Sequence, residues 1–210
     1  MPTPDRTSLD EIVRAGRDIL ESEGLARLTM QAVADRVGVR APSLYKRVRS
    51  RDDLIGLIAV ATVNELGDQL RYAIAGTDPR ADLIALAHAF RAFAHQHPAG
   101  FHLIFARGSE AARPDPDSLA RASAPVLDIA AQLIGPDDAL AAARTVTAWA
   151  NGFVGMELAG AFKLGGDVDQ AFDFGIERLA DALAAASRAG APRPAGSSAS
   201  PEAGRQTVDR

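Results

Sequence analysis

Residues 29–54 read TMQAVADRVGVRAPSLYKRVRSRDDL. Thr29 is a suitable cap for a short helix whose inward residues are Ala32, Val33 and Val37. Gly38-Val39 supplies a tight turn in which a left-handed residue is expected. Pro42 then sits where the first turn of a second short helix tolerates it, and Leu44 and Val48 face inward. Val33, Ala34, Val37, Val39, Leu44 and Val48 form a small apolar set that fixes the two helices against each other. Arg40, Ala41, Pro42, Ser43, Lys46 and Arg47 are left on the outer side. Between Arg36 and Arg51 stand six Lys or Arg residues and no Asp or Glu, a one-sign surface that suits a polyanion.

These groups fit a helix-turn-helix that enters the major groove of double-stranded DNA. Arg and Lys can serve base edges or phosphates. Tyr45 offers its hydroxyl to a phosphate while its ring packs on the bracing helix, and Thr29, Lys46 and Arg51 suit the backbone. The competing reading is a basic, solvated turn between two helices.

The pattern continues outward in both directions. Ser8 with Glu11 is a capping box, opening a helix with Leu9, Ile12, Val13, Gly16, Ile19 and Leu20 on one face, and Gly24 is its expected C-cap. Ser50 with Asp53 opens a longer fourth helix built on Leu54, Leu57, Ile58, Ala61 and Leu66. Thr77-Asp78-Pro79 breaks the chain before a fifth helix, which Pro98 stops near His97. A short sixth helix is expected over 101–107, a loop over 108–116, and a seventh helix over 117–134 with a possible kink at Pro125. The eighth follows Asp137-Asp138 and runs to about Lys163; Gly165-Gly166 separates it from a ninth over 167–187. From Ala189 the composition of Ala, Pro, Gly, Ser and Arg predicts a disordered tail. The fold class is therefore all-α, with about nine helices.

Composition removes several classes of function. The 210 residues are 47% hydrophobic and 24% charged, and no apolar run approaches the roughly 18 residues of a membrane span. The N-terminus MPTPDRTSLDE lacks the apolar core of a signal peptide, so a cytoplasmic protein with no membrane partner is expected. Cysteine is absent, which excludes disulfides and thiolate metal sites. The four His form no HExxH pair, and Asp167 with Asp169 lacks the remaining ligands of a calcium loop, so no metal and no cofactor are expected. Ser109-Glu110 has no His beside it, and no nucleophile–base pair or phosphate loop supports an enzyme. Net charge is −4, but residues 1–56 carry ten basic and nine acidic groups while residues 57–210 carry thirteen and eighteen. The basic character is local, and so large an acidic body argues against an architectural DNA binder, the alternative function.

Val33-Ala34, Gly38-Val39, Pro42-Ser43-Leu44-Tyr45, the basic pair Lys46-Arg47, and Arg51 with Leu54 together resemble the DNA-binding domain of the TetR family of bacterial transcriptional regulators. Val48 stands where most of the family has Phe. Further on, Trp149-Ala150-Asn151-Gly152-Phe153 with Glu157 resembles the Trp-His-Gly signature of one C-terminal subgroup, with Asn in place of His. The resemblance implies a DNA-binding domain over 1–55, a ligand-binding and dimerisation domain over 56–188, and a tail over 189–210. It also implies a homodimeric regulator, most often a repressor, released from a near-palindromic operator by a small-molecule effector of unknown identity.

Pocket candidates are the aromatic and His residues of the fifth, sixth and eighth helices: Phe90, Phe93, Phe101, His102, Phe105, Trp149 and Phe153, with Asn151 beside them and His88 and His95 nearby. Plain core packing explains most of them equally well. For dimerisation the candidates are the small residues Ala148, Gly152, Gly155 and Ala159 of the eighth helix and the stripe Phe172, Ile176, Leu179 and Leu183 of the ninth. Packing within one protomer is the alternative.

Overall fold

The computed structural model describes residues 8–105 and 113–190. Nine helices and no strand occur among them: α1 (Leu9–Glu23), α2 (Met30–Val37), α3 (Ala41–Leu44), α4 (Arg51–Tyr72), α5 (Pro79–Gln96), α6 (Pro98–Phe105), α7 (Pro116–Ile134), α8 (Ala139–Leu158) and α9 (Val168–Gly190). The all-α reading of the sequence holds.

Local chemistry sets most of the helix starts. Ser8 Oγ accepts the Glu11 N–H at 3.1 Å while the Glu11 carboxylate accepts the Ser8 N–H at 2.8 Å, a complete capping box. Thr29, Ser50, Asp78 and Asp115 each accept a first-turn N–H in the same manner at α2, α4, α5 and α7. Gly38 ends α2 in the left-handed region, with φ 74° and ψ 31°, and the Val39 N–H returns to the Ala34 carbonyl at 2.9 Å.

Two apolar cores result. One joins α1, α2 and α3 to the first half of α4 through Ile12, Ile19, Leu28, Val33, Leu44, Val48, Leu54 and Ile58. The other joins the second half of α4, from Leu66, to α5, α6, α7, α8 and α9. The division expected after residue 55 thus falls inside α4, one continuous helix that serves both cores, and Leu103 of α6 also reaches into the first.

Some helix details differ from those read in the sequence. Pro98 does stop α5, but its fixed φ also begins α6 there, ahead of the expected start at residue 101. In α7, Pro125 is accommodated as a buried residue. Finally, α8 ends at Leu158 rather than near Lys163, because Gly160 turns left-handed (φ 60°) and the Ala161 N–H bonds to the Met156 carbonyl at 2.8 Å. Ser109-Glu110, most of the expected 108–116 loop and the tail from residue 191 lie outside the described residues.

Candidate nucleic-acid interface and body cavity

The candidate reading surface is built on a very short helix. After the turn at Gly38, Arg40 caps α3 and its carbonyl accepts the Ser43 N–H at 2.8 Å. The chain then tightens through residues 45–47, and the Val48 N–H returns to the Leu44 carbonyl at 2.9 Å. Leu44 and Val48, one turn apart, are fully buried against Val33 and Ala34 of α2. That anchorage presents Arg40, Pro42, Ser43, Tyr45, Lys46 and Arg47 to solvent, with Ala41 half-buried beneath them. Tyr45 is 53% exposed, a looser seat than the packing on α2 expected from the sequence.

Other residues of the basic stretch serve the fold. Arg51 is the clearest correction: its Nε donates to the Leu28 carbonyl at 2.6 Å and its Nη2 to the Leu25 carbonyl at 2.7 Å. The guanidinium is committed to tying the α1–α2 connection to α4 and is not presented to a phosphate. Arg36 pairs with Glu23 at 3.3 Å, and Arg49 pairs with Asp53 at 3.4 Å. The Asp53 carboxyl is held below its usual range, first by the Arg49 backbone N–H at 2.8 Å and then by the Arg49 side chain. Thr29 Oγ1 accepts the Ala32 N–H at 3.1 Å, so its hydroxyl oxygen acts as a cap at the N-terminus of the bracing helix. Arg40, Lys46 and Arg47 carry the charge of the outward face.

A cavity opens in the body between α4, α5, α7 and α8, with the end of α6 as one wall. It is lined by Val63, Leu66, Leu70, Leu86, Ala87, Phe90, Ile104, Phe105, Leu119, Ala122, Ser123, Val126, Val146, Thr147 and Ala150. Of the residues proposed from sequence, Phe90 and Phe105 line it. Phe101, His102, Phe105 and Asn151 line a separate, more open groove between α6 and α8, together with Gly155 and Ala159.

Phe93, Trp149 and Phe153 line neither of these two spaces. Phe93 is fully buried, its ring 5.1 Å from that of His97. Trp149 and Phe153 pack on Phe172 of α9 at ring separations of 5.1 and 5.2 Å. His88 and His95 face carboxylates, Asp173 at 3.4 Å and Glu157 at 3.2 Å.

The two halves of the proposed dimer face also separate. Ala148, Gly152, Gly155 and Ala159 lie exposed along α8, and a Cβ built on Gly152 or Gly155 would meet nothing within 4 Å. Phe172 and Ile176 instead have no exposed surface, because they fill the protomer's own core, while Leu179 and Leu183 are half-buried. Phe172 is covered by Trp149, by Phe153 and by the Arg91 guanidinium, 4.9 Å above its ring. Arg91 Nε in turn donates to Glu157 Oε2 at 2.9 Å, and its Nη2 pairs with Asp169. The Glu157 carboxyl is held below its usual range, first by the Arg91 hydrogen bond, with a smaller contribution from His95 and against the opposing effect of burial.

Sequence reasoning missed two further polar fixtures. The buried Asp82 carboxylate accepts the Ala75 N–H at 2.9 Å and the Gly76 N–H at 3.0 Å, fastening the α4–α5 connection. Glu21 of α1 accepts backbone N–H groups from the start of α6. Neither belongs to a local capping pattern of the kind that marked the helix starts. Among the described residues no group of three or more His, Asp or Glu is placed to hold a metal ion.

Comparison with known proteins agrees with this architecture. Residues 5–58 match the family described as bacterial regulatory proteins, tetR family, and residues 83–179 match the tetracyclin repressor-like C-terminal domain. An uncharacterized HTH-type transcriptional regulator of Mycobacterium tuberculosis is 30% identical over 181 residues, covering 84% of this chain and 82% of its own. The class A tetracycline repressor protein from transposon 1721 of Escherichia coli is 30% identical over 165 residues, covering 76% and 73%. Among solved structures, a TetR variant from Acinetobacter baumannii AYE in complex with minocycline shares the fold, with a TM-score of 0.63, 23% identity, and coverage of 84% of this chain and 96% of that one. The chain belongs to the TetR family of bacterial transcriptional regulators and is a DNA-binding protein of the helix-turn-helix type.

Proposed function

We propose that this protein is a homodimeric, ligand-responsive regulator, acting as a repressor in the cytoplasm. Two copies of α3 would read half-sites of a near-palindromic operator about 34–36 Å apart, or a multiple of that distance. The observation that carries the reading is the division of one short segment into two faces. Leu44 and Val48 are buried without remainder, and Arg40, Ser43, Tyr45 and Lys46 are thereby aimed outward as a group. The exposed small residues of α8 support a two-fold helix pairing, since Gly and Ala let backbones approach closely, and Gly in a helix interior costs roughly 1 kcal/mol unless packing repays it. The body cavity supports an effector site.

Effector release requires that the ligand bind the DNA-incompatible state more tightly; a coupling of about 1–3 kcal/mol is sufficient for a working switch. The minocycline bound by the structural neighbour is not carried over as the ligand. Its many hydroxyl, keto and amine groups would meet two hydroxyl side chains among the described residues of this cavity. Selection of bound duplexes from a random pool, followed by light scattering of the protein alone and with the selected duplex, tests the reading. A two-fold symmetric consensus bound by a dimer is the expected result. A monomer with no preference between selected and random duplex would remove it in favour of an architectural role.

A further inference from the structure

Among the described residues the cavity wall is almost wholly hydrocarbon: thirteen of the fifteen that line it are aliphatic or aromatic, and none of the fifteen carries an ionisable or amide side chain. Ser123 and Thr147 supply its two side-chain hydroxyls, and both belong to exposed positions, which places them at the rim. Three charged groups on the same helices, close in sequence to lining residues, are engaged elsewhere. Arg91, next to Phe90, is turned to Glu157 and Asp169; Arg121, near Ser123, donates to Ser118 Oγ at 2.9 Å; Asp82 is held by the Ala75 and Gly76 N–H groups.

An anion taken into such a space would leave water without gaining a counter-charge, and a cation would fare no better. Apolar surface, by contrast, gains from burial in proportion to its area. Building on the ligand-responsive reading, we propose that the cavity selects an uncharged, mainly hydrocarbon or aromatic molecule. It carries one or two hydrogen-bonding groups, and they are directed at Ser123 and Thr147. A charged molecule of the same size is rejected by desolvation. Phe90 and Phe105, whose rings stand edge-on at 5.6 Å, provide the aromatic side of the wall.

Two fluorescent probes with one ring skeleton test this in the full chain: neutral N-phenyl-1-naphthylamine and its sulfonate, 8-anilinonaphthalene-1-sulfonate. The neutral probe is expected to saturate with a Kd at least about tenfold lower than the sulfonate. Ala150→Phe, which fills the cavity, is expected to abolish binding of the neutral probe. Ser123→Lys, a change at the exposed rim that spares the core, is expected to improve the sulfonate's Kd by about fivefold or more by supplying the missing counter-charge. Equal affinity for both probes, with Ser123→Lys indifferent, would overturn the charge selection while leaving a ligand cavity. If the folded protein bound neither probe, or if Ala150→Phe folded and bound both normally, the cavity would not be a ligand site and the effector reading would fail with it.

Discussion

Glu21 holds Gly100: its Oε1 accepts the Gly100 N–H at 2.8 Å, and its Oε2 accepts the neighbouring Ala99 N–H at 3.0 Å. Pro98 begins α6 without an N–H of its own, so these two amides are the first donors the helix must satisfy. A carboxylate placed there meets both the donors and the positive end of the helix dipole. The contact also spans the molecule's two cores. Glu21 belongs to α1, which braces the reading domain, while Ile104 and Phe105 of the same α6 line the body cavity. Glu21→Gln exchanges one acceptor for a donor facing an N–H, and is expected to cost about 1–2 kcal/mol. That is a fall in Tm of about 2–4 °C per kcal/mol for a chain of this size, readable by circular dichroism. Gly100→Ala should cost as much or more. Its Cβ would lie 2.9 Å from Glu21 Oε1 and 3.2 Å from Thr62 Cγ2, so relief would require breaking the same hydrogen bonds.

Arg91 and Glu157 give the protein a defined acid sensitivity. The folded-state pKa of Glu157 lies below its unfolded value, so the unfolded chain binds the proton more readily. Stability from this group is complete above about pH 4.5 and is lost as pH falls through the folded value. Glu157→Gln is therefore expected to be destabilised at neutral pH by about 2–3 kcal/mol, since it leaves a mostly buried guanidinium without its main charge partner. The gap between the two proteins should narrow as the melts are repeated at decreasing pH below 4.5. A gap independent of pH would assign the loss to packing alone.

Arg51 and Lys46 lie five positions apart in the same basic stretch and are expected to fail in different ways. Arg51→Gln removes two hydrogen bonds from a charged donor to the Leu25 and Leu28 carbonyls and should lower stability by about 2 kcal/mol. Lys46→Ala should leave the melting temperature within about 2 °C, because surface changes of this kind stay within roughly ±0.5 kcal/mol. On selected duplex the order reverses in kind. Lys46→Ala should reduce the slope of log affinity against log salt by about one unit, as one phosphate contact is lost. An unchanged slope would take Lys46 out of the interface.

The same pair shows what the sequence could and could not convey. Signals that act within one turn were legible: Ser8 with Glu11, Thr29, Ser50 with Asp53, and the inward spacing of Leu44 and Val48 all describe contacts closed by three or four residues. Charge counting, however, gave Arg51 to the polyanion together with Arg40, Lys46 and Arg47, because the carbonyls that hold Arg51 are 23 and 26 positions away. Glu21 and Gly100 are 79 positions apart, and Arg91 and Glu157 are 66 apart, separations no period reveals. Periodicity placed Phe172 and Ile176 correctly on one stripe, yet it cannot say whether a stripe meets its own protomer or a second one. For Phe172 the deciding facts were Trp149 and Arg91, both distant in sequence.

Trp149 reports directly on how α8 and α9 are locked. A Cβ built on Gly175 would fall within clash distance of Trp149 Cζ2 and 3.0 Å from Cε2, so the indole lies flat where α9 has no side chain. The ring cannot simply swing away, because it also packs on Phe153 at 5.8 Å and on Phe172 at 5.1 Å. Gly175→Ala raises helix propensity by about 1 kcal/mol but forces an aromatic cluster apart, and overpacking of this kind costs about 1–3 kcal/mol. A net loss of stability is expected, against the gain that propensity alone predicts. Trp149 is the protein's one tryptophan, so its emission is unambiguous: the variant should shift to longer wavelength as the indole is displaced toward water. Trp149→Phe in the Gly175→Ala background should recover stability, because the smaller ring vacates the space the new methyl needs. If Gly175→Ala proved more stable than the parent with an unshifted spectrum, the close seating of α8 on α9 at this point would be refuted.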